Sequence, residues 1–135
     1  MAGVSTPELA AAVSNAGGLG SVALGALTVA QAAEQIQQTR RLTNRPFGVN
    51  LFCHQPARSN PEREAKWLAH LAEHFAQFEV TSLTTLREIY QASRDNDAML
   101  EMLLQERPAV VSFHFGLPGA GWVEVLKQAG VCTMA

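Results

Sequence analysis

Positive charge is missing from the first part of the chain, since no Lys or Arg precedes Arg40. A secretory signal needs a basic leading region, so none is predicted there. Cysteine is scarce as well. Cys53 and Cys132 provide neither a disulfide framework nor the paired spacing of a zinc site, which predicts a protein of a reducing, cytoplasmic compartment. Charge of either sign is sparse at 16% of residues, and 10 basic against 12 acidic side chains leave a net charge of −2. Only Arg40, Arg41 and Arg45 cluster, so no cationic stripe is available to neutralise a run of phosphates, and nucleic acid is excluded as the expected partner. A solvated helix end accounts for the cluster.

Apolar residues take the place of charge. They make up 47% of the chain, which predicts elements buried on more than one face and argues against disorder. The stretch from Leu9 to Ala33 carries no charge and is long enough to span a bilayer. Gly17, Gly18, Gly20 and Gly25, with polar Ser14, Asn15, Ser21, Thr28 and Gln31, instead divide it into two shorter elements around a turn, so no membrane association is expected.

Capping chemistry divides the rest. Thr6, Pro7 and Glu8 open a helix that runs through Leu9 to Ala16 and stops at Gly17-Gly18. Gly20 to Leu24 is a short apolar strand, and Thr28 with Gln31 forms a capping box that opens a helix to about Thr39. Pro46 to Phe52 reads as a strand, and Asn60-Pro61 starts a helix to about Phe78. Two helical pieces are predicted between Thr81 and Arg107, split near Ser93 to Asp95 and ended by Pro108. Ala109 to Phe115 is a continuous apolar strand of the kind covered on both sides. A helix from Gly121 to Gln128 and an apolar run from Val131 to Ala135 complete the pattern.

Strands alternating with helices predict a parallel α/β sheet. Met1-Ala2-Gly3-Val4 reads as the tail of a further strand, giving five strand signals. A (β/α)8 TIM barrel takes about 31 residues per unit, so residues 1–135 hold the first four to five units, a truncated half-barrel within one domain. A complete flavodoxin-like sheet predicts the same strand number, but would normally close with a helix after the fifth strand, and none is present. A half-barrel leaves open strand edges, from which self-association is expected.

Two motif spellings fail on context. Gly18-Leu19-Gly20-Ser21-Val22-Ala23 spells the dinucleotide fingerprint, yet a helix precedes it and a strand follows, the reverse of what pyrophosphate binding needs. His70-Leu71-Ala72-Glu73-His74 spells an inverted zinc-protease motif. A zinc site would require a third ligand and burial, and both histidines lie at the edge of the apolar arc formed by Trp67, Leu68, Leu71, Phe75 and Phe78, as is common on amphipathic helices. His54 sits in a Pro-, Arg- and Ser-rich loop and reads as a solvated or locally bonded side chain. Asn50 and His114 are more informative, because each is a polar residue near the C-terminal end of an apolar strand. Together with Met1, Ala2 and Gly3 they would occupy the face where barrel enzymes place their ligands.

Four strings carry a resemblance: Met1 to Leu9, Ser14 to Ser21, Pro46 to Asn50, and Val111 to Gly116. Together they resemble the nitronate monooxygenases, formerly called 2-nitropropane dioxygenases, which are FMN-dependent TIM-barrel enzymes. The resemblance covers essentially the whole chain. It implies FMN contacts from Met1, Ala2, Gly3, Asn50 and His114, and substrate-pocket roles for His114 and for Tyr90 in Glu88-Ile89-Tyr90. The implied reaction is oxidation of an alkyl nitronate to a carbonyl compound and nitrite, with O2 accepting electrons through the flavin. A Glu-Ala-Gly-Gly-His string that carries the family's main catalytic histidine, and the later glycine-rich loops that hold the FMN phosphate, do not occur in these residues. The fragment alone is therefore expected to be inactive. Two alternatives stay open, an FMN-dependent NADH:quinone or enoyl reductase of the same barrel type, and a non-catalytic truncated product.

Overall fold

The computed structural model describes residues 2–135. It contains two compact units. One runs to Gln55 and resumes at Tyr90, and the other is Pro56–Ile89.

In the larger unit the order is α1 (Pro7–Asn15), β1 (Gly20–Ala23), α2 (Val29–Leu42), β2 (Phe47–Phe52), α4 (Asp97–Glu106), β3 (Val110–His114), α5 (Trp122–Gln128) and β4 (Cys132–Met134). The smaller unit contributes α3 (Pro61–Gln77). The predicted caps form. Thr6 Oγ1 accepts from Leu9 N–H, Asn60 Oδ1 from Arg63 N–H, and the Thr28–Gln31 box closes in both directions. Each such cap is worth about 1 kcal/mol to its helix.

The four strands form one parallel sheet in the order β1-β2-β3-β4. Register decides which side chains share a face. Val22, Val49 and Val111 align on one side, while Ala23, Asn50, Ser112 and Met134 align on the other. The first side is the core, where Val22, Val49, Leu51, Val111 and Phe113 are buried against Ala10, Ile36, Leu103 and Leu126 from α1, α2, α4 and α5. Burying each large aliphatic side chain contributes roughly 1.5–3 kcal/mol. All four helices of this unit therefore cover the same face, as a barrel requires and a flavodoxin-like sheet does not.

The glycine-rich corner has a packing cause. A Cβ on Gly20 would lie 1.8 Å from the Ala10 carbonyl oxygen, so only glycine lets α1 sit against the start of β1. Ser14 secures the same corner, donating to Pro46 O at 2.9 Å and accepting from Gly20 N–H at 3.1 Å. The end of α2 is held by Arg40, which pairs with Glu106 of α4 at 2.8 Å.

Two predicted elements are corrected. Ala2 to Val4 is a turn rather than the tail of a strand, with Gly3 at φ +73°, so the described sheet has four strands and not five. Met1 lies outside the described residues. The first of the two helical pieces predicted after Thr81 is irregular chain, and only α4 forms. Thr81, Ser82, Thr84 and Thr85 explain this, because hydroxyl side chains compete for backbone hydrogen bonds and β-branched ones lose rotamer freedom in a helix.

The smaller unit has no buried residue on α3. Leu68, Leu71 and Phe75 are half-buried and Trp67 and Phe78 are exposed. His70 and His74 stack edge-on with ring centroids 5.6 Å apart. No helix among the described residues is long and apolar enough to cross a membrane.

Candidate functional site

Every second residue of a strand faces the same way, and the face turned from the core is lined by small and polar side chains. Ser21 and Ala23 come from β1, Asn50 and Phe52 from β2, and Ser112 and His114 from β3. Together with Ala2 they line a depression of about 300 Å3. Three of the residues singled out in the sequence, Ala2, Asn50 and His114, are thus brought together, Asn50 and His114 from the C-terminal halves of parallel strands and Ala2 from the turn that precedes α1.

The polar groups of this floor are bonded to one another. Ser112 Oγ donates to Val49 O at 3.2 Å. Asn50 Nδ2 donates to Ser112 Oγ at 2.9 Å and lies 3.2 Å from Ser112 O. The same nitrogen is 2.6 Å from His114 Nδ1. Asn50 Oδ1 and His114 Nε2 have no hydrogen-bond partner among the described residues; the first is an acceptor site for a ligand, and the second is a donor or an acceptor according to the tautomer of the ring.

An aromatic group borders the floor. Phe52 stacks edge-on against Tyr90 at 5.4 Å and against Phe115 at 5.1 Å. Its position depends on Gly25, where a Cβ would meet the Phe52 ring at 2.5 Å. Phe115 and Gly116 turn the chain sharply after β3, at φ +66° and +134°, and a Cβ on Gly116 would come within 2.8 Å of the Cys53 carbonyl oxygen. Tyr90 reaches the depression only through Phe52 and does not line it, and Gly3 does not line it either.

Cys53 follows β2 and is fully buried, its N–H donating to His114 O at 2.8 Å. Burial pushes its thiol above the ordinary range; nearby Arg94 lowers it and Asp95 raises it further, by smaller amounts. It is a neutral packing group rather than a nucleophile.

Sequence reasoning missed Ser21, Ala23, Phe52 and Ser112. The signal was present in the period of two, since Phe52 stands two residues after Asn50 and Ser112 two before His114. A larger hollow of about 570 Å3 lies in the smaller unit, bordered by Arg58, Asn60, Arg63 and Trp67. It contains none of the candidate residues. Convergence of bonded polar groups at strand ends is the better mark of a site than volume.

A parallel β/α sheet with helices on one face and a polar depression at the strand ends defines a barrel-type α/β protein. Comparison with known proteins narrows this class. The nitronate monooxygenase family profile matches residues 1–135, and the chain belongs to that family. It is 50% identical over its whole length to a nitronate monooxygenase of Paraburkholderia phytofirmans, and 48% identical over 131 residues to one of Pseudomonas aeruginosa. It spans 37% of the length of each. Among solved structures it is similar to the nitroalkane oxidase of Streptomyces ansochromogenes, with a TM-score of 0.81 and 40% identity over 98% of this chain and 37% of that one. FabK from Thermotoga maritima is also similar, with a TM-score of 0.60 and 28% identity over 98% of this chain and 30% of that one.

Proposed function

We propose that the chain forms part of an FMN-dependent enzyme that oxidises alkyl nitronates to a carbonyl compound and nitrite with O2. The observation carrying this reading is the meeting of Ala2, Asn50 and His114 at one depression, in a chain of the nitronate monooxygenase family.

The residues present fit the ring part of a flavin. Ser21, Ala23 and Ser112 are small enough to leave a shallow floor, Asn50 and His114 supply an acceptor and a donor, and Phe52 supplies an apolar wall. No Lys or Arg lines the depression, so the phosphate is assigned to residues beyond this chain. The proposed ring contacts are Ala2, Asn50 and His114, joined by their chain neighbours Met1 and Gly3 in the case of Ala2. When bound, FMN supplies the redox chemistry that links the substrate to O2.

The chain's own residues bind and orient. A nitronate is an anion whose charge lies on its oxygens, and neutral donors suit it. The ring N–H of His114 is the proposed donor on the floor, and the Tyr90 hydroxyl, which stands outside the depression beyond Phe52, is the proposed second.

The test uses the chain extended by the remainder that its relatives possess and loaded with FMN. Anaerobic mixing with an alkyl nitronate is expected to bleach the flavin absorbance. Rapid bleaching by NADH with none by the nitronate would replace this reading with the reductase one.

A further inference from the structure

We propose that Ser112 is a positioning residue which, through the Asn50 amide, holds His114 as the Nε2–H tautomer with that N–H left free for a ligand oxygen. The proposal extends the site reading above, but the tautomer itself requires neither flavin nor nitronate.

The hydrogen-bond network assigns the proton. A carbonyl oxygen only accepts, so the group 3.2 Å from Ser112 O must be the NH2 end of the Asn50 amide and not its oxygen. Val49 O, likewise an acceptor, takes the Ser112 hydroxyl proton, which leaves Ser112 Oγ to accept from Asn50 at 2.9 Å. One N–H of Nδ2 is thereby directed at Ser112. The other faces His114 Nδ1 at 2.6 Å, and a nitrogen that accepts a hydrogen bond carries no proton. The proton of the neutral ring is therefore on Nε2. No carboxylate lines the depression among the described residues to draw a proton onto Nδ1.

The register makes this arrangement possible. Asn50 pairs with Ser112 and Phe52 pairs with His114, so the Asn50 amide bridges its direct partner and the next residue on the same face of β3. An alanine at 112 would keep the backbone acceptor but lose the hydroxyl that fixes the rotation of the amide. The His114 ring would then lose its orienting donor.

The experiment uses the 135-residue chain labelled with 15N, without FMN or substrate, at a pH where His114 is neutral; the four histidines are distinguished with His114→Gln. His114 Nδ1 is expected at the shift of an unprotonated ring nitrogen, with a scalar coupling to Asn50 Nδ2 across the hydrogen bond. Asn50→Asp is expected to move the proton to Nδ1, because a carboxylate only accepts. Ser112→Ala is expected to abolish the coupling, and Ser112→Thr to restore it. A protonated Nδ1 in the unsubstituted chain overturns the proposal, as do His114 signals that ignore the changes at 50 and 112. Should Asn50→Asp fail to fold, the Ala and Thr pair at 112 decides alone. Loss of nitronate turnover in the completed protein would leave this result standing, so the two readings fail separately.

Discussion

Asn50 Nδ2 and His114 Nδ1 lie 2.6 Å apart, joining two strands through side chains that are 64 positions apart in the chain. The bond exists only because β2 and β3 are parallel neighbours in one register. It makes the candidate site a property of the sheet.

His114→Ala and Tyr90→Phe, made in the completed protein, are expected to weaken nitronate turnover more than flavin retention. A hydrogen bond to a charged group contributes roughly 1.5–3 kcal/mol, or about ten- to a hundredfold in rate if it forms mainly in the transition state. Steady-state kcat/KM beside an FMN titration separates the two effects. Unchanged kcat/KM in both variants removes these residues from the site.

The 135-residue chain by itself is expected to lose FMN on desalting and to emerge colourless. The depression it forms has ring contacts but no cation for a phosphate, and water competes for each hydrogen bond on an open floor. Absorbance of a stoichiometric bound flavin after gel filtration would show either that two chains associate to rebuild a barrel or that the phosphate is held within these residues, and the elution volume separates the two.

The two thiols are expected to differ. Exposed Cys132 should react with an aromatic disulfide reagent at once, and buried Cys53 only after unfolding. The raised Cys53 value has a sign for stability. The folded state keeps its proton at a pH where the unfolded chain, with an ordinary thiol at about 8.5, has lost it. Its contribution is whole below that pH and is lost as pH rises through the folded value. Urea midpoints of the unsubstituted chain should accordingly fall more steeply above about pH 9 than those of Cys53→Ala.

Ser14→Ala should destabilise the fold without touching the depression. It leaves Gly20 N–H and Pro46 O without the hydroxyl that bridges them, and a buried unpaired polar group costs about 1–3 kcal/mol. Gly20→Ala is expected to cost at least as much, since its Cβ would collide with backbone rather than with a movable side chain. Chemical denaturation followed by circular dichroism measures both.

Much of this fold was legible because it is written locally. Thr6, Thr28 with Gln31, and Asn60 each cap the helix that follows, and Val110-Val111 marks a strand, although helices cover one of its faces and not both as expected. What was misread also has a local cause. Ala2 to Val4, expected as the tail of a strand, is a turn because Gly3 takes a positive φ. The helical piece predicted after Thr81 does not form, because a run of hydroxyl residues without a buried face does not sustain it. Asn50 and His114 stood out as polar residues closing apolar strands. Ser112, two residues before His114, shares its face by the period of two, but only register sets it opposite Asn50. The bond network of the floor is a tertiary fact, and no window of the sequence contains both of its ends.

The most direct test of the central claim is nitrite release with O2 uptake, measured on the completed, FMN-loaded protein with an alkyl nitronate, for the unsubstituted chain beside His114→Ala. Nitrite formation with consumption of O2 is expected in the former, and a loss of about ten- to a hundredfold in kcat/KM in the latter while flavin remains bound. No nitrite from the unsubstituted protein, or equal rates from the two, would contradict it.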